Sequence, residues 1–158
     1  MSLNEPLGLA FLGCGFATRL HSRTLRRIPG VERFYASREL ARAEDFRDRF
    51  GGVAAFGTYK AALAEPRVQV VLVATPPATH LELTLATLAA GKHVVLEKPP
   101  LLRAADFDQV EKAATEARRQ VMVAENYFYK PMAEALRHVL AKGEIGEPQI
   151  LSVRALKE

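Results

Sequence analysis

The residues whose types and spacing most clearly suit ligand binding form a glycine-rich turn near the N-terminus. The turn consists of Gly13, Cys14, Gly15, Phe16, Ala17 and Thr18. In a G-x-G turn between an apolar run and a helix, the first glycine permits the bend, the second lets the backbone approach a pyrophosphate, and the helix N-terminus offers N–H donors. The third position usually holds glycine or alanine, so Thr18 departs from the pattern. We predict a phosphate cradle formed by Gly13, Gly15, Phe16 and Ala17. A plain turn without a ligand is the alternative.

The end of the second predicted strand indicates which dinucleotide would bind. An NAD site commonly has an acidic residue here for the ribose hydroxyls, whereas an NADP site has donors for the 2′-phosphate. The sequence has Ser37 and Arg38, which suit a phosphate dianion, and Arg42 follows one helical turn later. We predict NADP as the cofactor. NAD is the alternative if Ser37 only caps a helix, Arg38 is solvated and Glu39 binds the ribose.

Strand and helix patterns alternate along most of the chain. The predicted strands span residues 7–12, 31–36, 53–56, 68–74, 93–97 and 121–125, and the predicted helices span 19–28, 39–50, 59–64, 79–90 and 104–119. Strict alternation requires parallel pairing with right-handed crossovers. We predict an α/β fold, with a doubly wound, mainly parallel, Rossmann-like sheet of six strands and helices on both faces.

Apolar residues at helical spacing predict the buried helix faces. In the first helix these residues are Leu20, Leu25 and Ile28. In the fifth helix they include Phe107 and Val110. We expect these side chains to pack against the sheet.

The last part of the chain follows a different pattern. Residues 132–142 predict a helix, and residues 149–155 alternate as in a β-strand. We predict one domain over 1–130, followed at 131–158 by a connecting helix and the first strand of a second domain. An unpaired strand leaves backbone groups without hydrogen-bond partners. We therefore expect residues 149–155 to pair with a second copy of the chain rather than to remain mobile.

Composition excludes several classes of protein. The 158 residues are 49% hydrophobic, 25% charged and 8% aromatic, as in a soluble globular domain rather than a disordered chain, a collagen or a coiled coil. No apolar run approaches the roughly 20 residues of a membrane span, and the N-terminus lacks a signal-peptide pattern, so we predict a cytoplasmic protein without a membrane partner.

The chain has a single cysteine, Cys14, and lacks a Cys/His cluster, so we predict neither a disulfide nor a metal site. The arginines of the first third are interleaved with acidic residues and no recognition motif accompanies them, so we predict no nucleic-acid partner.

Three further motifs support a family resemblance. They are Ala74-Thr75-Pro76-Pro77-Ala78-Thr79-His80, Gly91-Lys92-His93-Val94 and Glu97-Lys98-Pro99. With the glycine turn and His21, they resemble the N-terminal half of the glucose-fructose oxidoreductase / inositol dehydrogenase (Gfo/Idh/MocA) family, from about Leu7 to Ala155. The resemblance implies a Rossmann domain severed from an α+β substrate domain. It also implies that the parent protein is a homo-oligomer.

The resemblance implies roles for particular residues. Lys98 would be the catalytic lysine, placed where ligands bind in open α/β sheets. The predicted cofactor contacts beyond the first two strands are Thr75, Pro76, Pro77, His80, Glu97 and Asn126. His21 and His93 are interpreted as packing residues.

The same resemblance implies a reaction class. The reaction would be hydride transfer between nicotinamide and a CH–OH or carbonyl group of a sugar, a cyclitol or a diol. We expect the 158-residue chain alone to be inactive, because the family's other proton-transfer residues belong to the substrate domain. The alternative function is a non-catalytic dinucleotide-sensing or regulatory domain.

Overall fold

A computed structural model describes residues 6–150, Ser152 and Arg154. The chain divides into two compact units, one ending at Ala124 and one beginning at Glu125. The strands of the first unit are β1 (Leu7–Leu12), β2 (Val31–Ala36), β3 (Ala54–Phe56), β4 (Val68–Val73), β5 (His93–Leu96) and β6 (Val121–Val123). Its helices are α1 (Phe16–Leu25), α2 (Leu40–Phe50), α3 (Tyr59–Ala64), α4 (His80–Ala89) and α5 (Ala104–Ala117), with a short 3-10 helix at Pro77–Thr79. The second unit contains a 3-10 helix at Asn126–Tyr129 and helix α6 (Pro131–Ala141). None of the helices in the described part of the chain is long and apolar enough to cross a membrane.

The six strands form one sheet in the order β3-β2-β1-β4-β5-β6, and every neighbouring pair is parallel. This arrangement confirms the predicted fold class. The register aligns the last residue of every strand in a single row: Phe56, Ala36, Leu12, Val73, Leu96 and Val123. All the loops that leave the carboxyl ends therefore emerge at one edge. The strand order reverses between β1 and β4, and this switch point is where open α/β sheets bind ligands.

An apolar core covers each face of the sheet. On one face α3, α4 and α5 pack against strand residues, and the buried helix residues are Ala62, Leu83, Leu88 and Val110. On the other face α2 buries Phe46 and Phe50 near Tyr35 of β2. The Tyr35 ring stacks on Phe11 with the ring centres 5.2 Å apart, and its hydroxyl donates to Ser22 Oγ of α1 at 3.0 Å. The phenol is therefore buried with its hydrogen bond made.

The buried face of α1 differs in part from the prediction, since Leu25 packs against the core as expected but Leu20 and Ile28 do not. The helix begins at Phe16, three residues earlier than expected, and its buried residues are Thr18 and Ser22. Leu20 is instead 47% exposed, and Ile28 lies beyond the end of the helix. The reason is that these two small side chains place hydroxyl groups next to hydrogen-bond partners, the carbonyl of Gly13 for Thr18 and the Tyr35 hydroxyl for Ser22.

Helix α5 shows a similar difference. Val110 is buried as predicted, but Phe107 is 47% exposed. Asp106 takes a buried position because its carboxylate accepts hydrogen bonds from the Arg103 guanidinium, at 2.7 Å for the shortest. The ion pair with Arg103, whose own side chain is exposed, therefore allows an acidic residue at a buried position of the helix.

The second unit contains the predicted helix but no described strand. Helix α6 is shifted by one residue towards the N-terminus relative to the predicted span. Within the predicted strand, Gln149, Ile150, Ser152 and Arg154 are not in a strand, and residues 151, 153 and 155 lie outside the described residues. Pairing with a second copy and the assignment of this unit to a further domain stay predictions.

Candidate functional site

The glycine turn lies at the switch point, in close contact with the loop after β4. Gly13 has a φ of +99°, and a Cβ atom on it would lie 2.8 Å from the carbonyl oxygen of Ala74. Both features require glycine. The Gly13 N–H donates to the carbonyl of Ala36 at 2.9 Å, and the Ala74 N–H donates to the carbonyl of Leu12 at 2.9 Å. The hydrogen-bonded ladder thus extends one residue past the strand ends and fixes the turn.

Thr18 completes the turn from the helix side. Its side chain is fully buried, and its hydroxyl donates to the carbonyl of Gly13 at 2.6 Å. Thr18 is the residue that departs from the usual glycine or alanine, and its hydroxyl stabilises the turn. Helix α1 follows directly from Gly15 and has no acidic residue in its first turn, so its N-terminus favours an anion.

A cavity of about 360 Å³ opens between the loops after β1, β2 and β4. It is lined by Gly13, Cys14, Gly15, Ser37, Arg38, Glu39, Arg42, Tyr59, Ala74, Thr75 and Pro76. Six of these are predicted site residues: Gly13, Gly15, Ser37, Arg38, Thr75 and Pro76. The structure therefore brings together the glycine turn, the end of β2 and the start of the threonine–proline motif. A larger groove, of about 790 Å³, includes Lys92 and His93 at the start of β5, away from the carboxyl edge.

The wall of the cavity after β2 carries hydrogen-bond donors. The Ser37 oxygen accepts from the N–H of Glu39 at 3.3 Å, which leaves its hydroxyl proton for a ligand. Arg38 is exposed, and Arg42 Nε donates to the carbonyl of Cys14 at 2.8 Å. Arg42 therefore ties α2 to the glycine turn. Two guanidinium groups and one carboxylate give this wall a net positive charge, which suits an anionic ligand.

Sequence reasoning did not single out Tyr59. It is the first residue of α3 and lines the same cavity. Burial raises the pKa of the Tyr59 phenol above its ordinary value, while the positive charges of Arg38 and Arg42 lower it. The phenol is thus a protonated donor at neutral pH, close to both arginines. Its position at the start of a helix that follows β3 is the signal that would have indicated it.

The loop after β5 carries Lys98, two residues beyond the strand end. The Lys98 side chain is exposed. Glu97 is mostly buried, and one of its carboxylate oxygens lies 2.5 Å from His21 Nε2 while the other accepts the Lys98 N–H at 3.0 Å. His21 therefore does more than pack, because it anchors the residue that precedes Lys98.

His80 joins the loop after β4 to the loop after β5. Its Nε2 lies 2.9 Å from the carbonyl of Thr75, and its Nδ1 lies 3.1 Å from the carbonyl of Pro99 and 3.0 Å from that of Pro100. The side chain is 1% exposed. This geometry favours a structural role over the direct cofactor contact predicted for His80, because both ring nitrogens already face main-chain carbonyls.

Seven predicted site residues lie outside the cavity lining: His80, Glu97 and Lys98, described above, and four more. Phe16 and Ala17 form the first turn of α1, with the Phe16 side chain 71% exposed. Pro77 begins the 3-10 helix after β4, and Asn126 belongs to the second unit. Contact of any of these four with a cofactor stays a prediction.

A glycine turn at the switch point of a parallel sheet, with hydrogen-bond donors beside it, defines a Rossmann-type dinucleotide-binding domain. Comparison with known proteins gives the family. The chain belongs to the Gfo/Idh/MocA family, an oxidoreductase family with an NAD-binding Rossmann fold, whose model matches residues 7–125. The match confirms the resemblance inferred from the motifs.

Individual relatives agree with this assignment. The chain is 37% identical over 116 residues to mouse trans-1,2-dihydrobenzene-1,2-diol dehydrogenase, covering 73% of this chain and 34% of the relative. It is similar in structure to KijD10, a 3-ketoreductase from Actinomadura kijaniata solved with NADP, with a TM-score of 0.82, 31% identity, and coverage of 90% of this chain and 46% of that one. It is equally similar to GenD2 from gentamicin A biosynthesis, solved with NAD, with a TM-score of 0.82, 32% identity, and coverage of 91% and 41%. The chain thus spans less than half the length of these relatives.

The hydroxyl of Thr18 should stabilise the folded chain measurably. In Thr18→Val the shape is kept, but the carbonyl of Gly13 loses its buried donor. We expect the free energy of unfolding to fall by about 1–2 kcal/mol, measured by urea unfolding. The control is Thr24→Val on the same helix, where an exposed hydroxyl makes only a 3.4 Å contact. A loss in Thr18→Val no larger than in the control would contradict the role of Thr18.

Cys14 should react slowly with alkylating agents at neutral pH. Burial raises the pKa of its thiol from 9.0 to about 11, and only the thiolate reacts. A rise of that size lowers the thiolate fraction at pH 8 about a hundredfold. The iodoacetamide reaction of the folded chain should therefore increase with pH and reach its midpoint near 11. A midpoint near 9, as expected in denaturant, would show that the thiol is not desolvated.

Proposed function

We propose that this chain is the cofactor-binding part of an NADP-dependent oxidoreductase that acts on a CH–OH group, or the matching carbonyl, of a sugar, a cyclitol or a diol. The observation that carries the proposal is the shared edge of the sheet. The donors Ser37, Arg38 and Arg42 lie beyond the end of β2, and the exposed Lys98 lies on the loop after β5, with β1 and β4 between them in the sheet.

The residues of the cavity fit a dinucleotide. A Cβ atom at Gly15 would meet nothing within 4 Å, so the backbone of the turn faces open space where a pyrophosphate would lie. The N-terminus of α1 supplies N–H groups to such an anion. Ser37, Arg38 and Arg42 would hold the 2′-phosphate, with Tyr59 as a further donor. When bound, NADP(H) supplies the carbon that accepts or donates the hydride.

NADP is favoured over NAD by the donor set. Glu39 lines the same cavity and is the one carboxylate that could bind the ribose hydroxyls of NAD. Its charge is outweighed by the two neighbouring arginines, and charge-assisted bonds to a phosphate are stronger than those to a hydroxyl. One solved relative holds NADP and another holds NAD, so the proposal rests on the donors of this chain.

Lys98 is proposed as the group that handles the substrate oxygen. Oxidation of an alcohol requires its hydroxyl proton to leave, and reduction of a carbonyl requires a proton to arrive at the same oxygen. An ammonium beside that oxygen stabilises the negative charge that develops on it. The named activities of the relatives, a diol dehydrogenase and a 3-ketoreductase, support a substrate oxygen of this kind.

The proposed activity belongs to a longer protein. The relatives are more than twice as long as the regions that match this chain, which supports a separate substrate domain, as the sequence motifs predict. The 158-residue chain is then expected to bind cofactor without turnover. A homo-oligomeric parent and a cytoplasmic location stay predictions.

Cofactor choice can be tested on the 158-residue chain. We expect it to bind NADPH at least tenfold more tightly than NADH, because the phosphate gains charge-assisted bonds worth about 1.5–3 kcal/mol. Arg38→Asp should reverse that order. The control is Lys112→Asp, which makes the same charge change on α5, outside the cavity lining. Both cofactors would be titrated by nicotinamide fluorescence, and equal affinities in the unmodified chain would refute the NADP preference.

The role of Lys98 can be tested in the complete protein. Lys98→Ala should lower turnover by about two or more orders of magnitude, the usual scale for removing a proton-transfer or oxyanion-stabilising group. Cofactor affinity should stay within a few-fold, because Lys98 does not line the cavity. Turnover would be followed by nicotinamide absorbance with a panel of polyols. If the unmodified protein binds NADP tightly but turns over no polyol, a sensing domain is the better interpretation.

A further inference from the structure

The loop from Glu97 to Pro100 is held on two sides by histidines from different helices. On one side His21 of α1 lies 2.5 Å from a carboxylate oxygen of Glu97. The second oxygen of that carboxylate accepts the Lys98 N–H at 3.0 Å. The Glu97 side chain thus connects the cofactor-cradle helix to the main chain of Lys98.

On the other side His80 of α4 faces the carbonyls of Pro99 and Pro100 at 3.1 and 3.0 Å. Its second ring nitrogen faces the carbonyl of Thr75 at 2.9 Å, in the loop that lines the cofactor cavity. Because both prolines lack an N–H group, their carbonyls are the only main-chain polar atoms by which they can be held. An imidazole that donates from both ring nitrogens links the two loops at once, whereas a ring with one N–H donates to one of them.

Lys98 lies between these two anchors. The Glu97 N–H continues the ladder of the sheet by donating to Val73 at 3.1 Å, so the loop starts from a fixed point. Among the described residues, the Lys98 ammonium has no ion-pair partner, and the side chain is exposed. The main chain of Lys98 is therefore restrained while its side chain is free to reach a substrate.

We propose that His21 and His80 are positioning residues, which hold the Glu97–Pro100 loop between the cofactor cradle and the β4 loop and so set the direction in which Lys98 leaves the sheet. The catalytic consequence rests on the proposed function of Lys98. The restraint on the loop does not, because it follows from contacts within the described chain. Small displacements of a catalytic group cost large factors in rate, so a lysine on an exposed loop needs such anchors.

The restraint can be measured without cofactor or substrate, by amide hydrogen exchange of the 158-residue chain in NMR. In His21→Leu the Glu97 carboxylate loses its partner, and we expect the Lys98 amide to exchange about tenfold faster or more. The Val94 amide, within β5, should be unchanged. His21→Gln, which can still donate to Glu97, should restore most of the protection of Lys98. His80→Leu should also accelerate the Lys98 amide while sparing Val94.

The matched control is His93→Leu. His93 lies at the N-terminal end of β5, away from the end that leads to Lys98, and its Nδ1 accepts the N–H of Gln120 at 3.2 Å. It should leave the Lys98 amide unaffected. If His21→Leu also accelerates Val94, the variant has lost global stability, and Glu97→Ala, which removes the acceptor of the Lys98 N–H, replaces it, with accelerated Lys98 exchange expected. Lys98 exchange within twofold of the unmodified chain in His21→Leu, or in Glu97→Ala where it is used, would overturn the proposal for His21. The same result in His80→Leu would overturn it for His80.

A second measurement separates positioning from general structural support. In the complete protein, His21→Leu should lower kcat about tenfold while the KM for NADPH stays within twofold. An unchanged kcat would overturn the positioning role even if loop exchange increases. An unmodified protein without turnover would instead refute the proposed function and leave the exchange result standing.

Discussion

The site depends on the close approach of the β1 turn to the loop after β4. A single side-chain atom at Gly13 would collide with the carbonyl of Ala74, so this contact exists only because glycine is present. The two hydrogen bonds that flank it, from Gly13 to Ala36 and from Ala74 to Leu12, carry the sheet one residue beyond its strands. Every loop that lines the cavity leaves the sheet from that row. Separating β1 from β4 would therefore open the cavity and displace the β4 loop held by His80.

Buried polar groups fix this arrangement where apolar packing alone would not. Thr18 and Ser22 occupy the inner face of α1, and each hydroxyl has a defined partner. A leucine at either position would bury more apolar surface but would push the helix away from the strands. Apolar contacts have no direction, whereas a hydroxyl bonded to one carbonyl fixes a helix at one height and rotation. A dinucleotide cradle needs that accuracy because its donors are backbone N–H groups.

The sequence predicted the sheet well because its signals are local. The apolar run at Val68–Val73 and the alternation of strands with helices determine fold class without knowledge of tertiary contacts. Part of the cavity lining could also be predicted, since Gly13, Ser37 and Arg38 follow predicted strand ends. Leu20 and Ile28 were wrongly predicted to be buried because periodicity counts apolar residues, whereas the inner face of α1 carries small polar ones. The contact between His21 and Glu97 joins residues 76 positions apart, which no local pattern can indicate.

Two lysines at opposite ends of β5 differ in exposure, which shows that the position of a lysine in the sheet decides whether its ammonium group can reach a ligand. Lys92 precedes the strand and is 7% exposed, with its ammonium donating to the carbonyls of Glu65 at 2.9 Å and Val68 at 2.6 Å. Burial lowers its pKa below the ordinary value for lysine. The Lys92 side chain therefore links the start of β5 by hydrogen bonds to the start of β4 and the segment before it. Lys98 follows the strand at the carboxyl edge, where the loops diverge and leave its side chain in solvent. Open parallel sheets bind ligands outside their carboxyl ends, and in this chain a lysine is a buried structural group at the amino edge and a solvent-exposed side chain at the carboxyl edge.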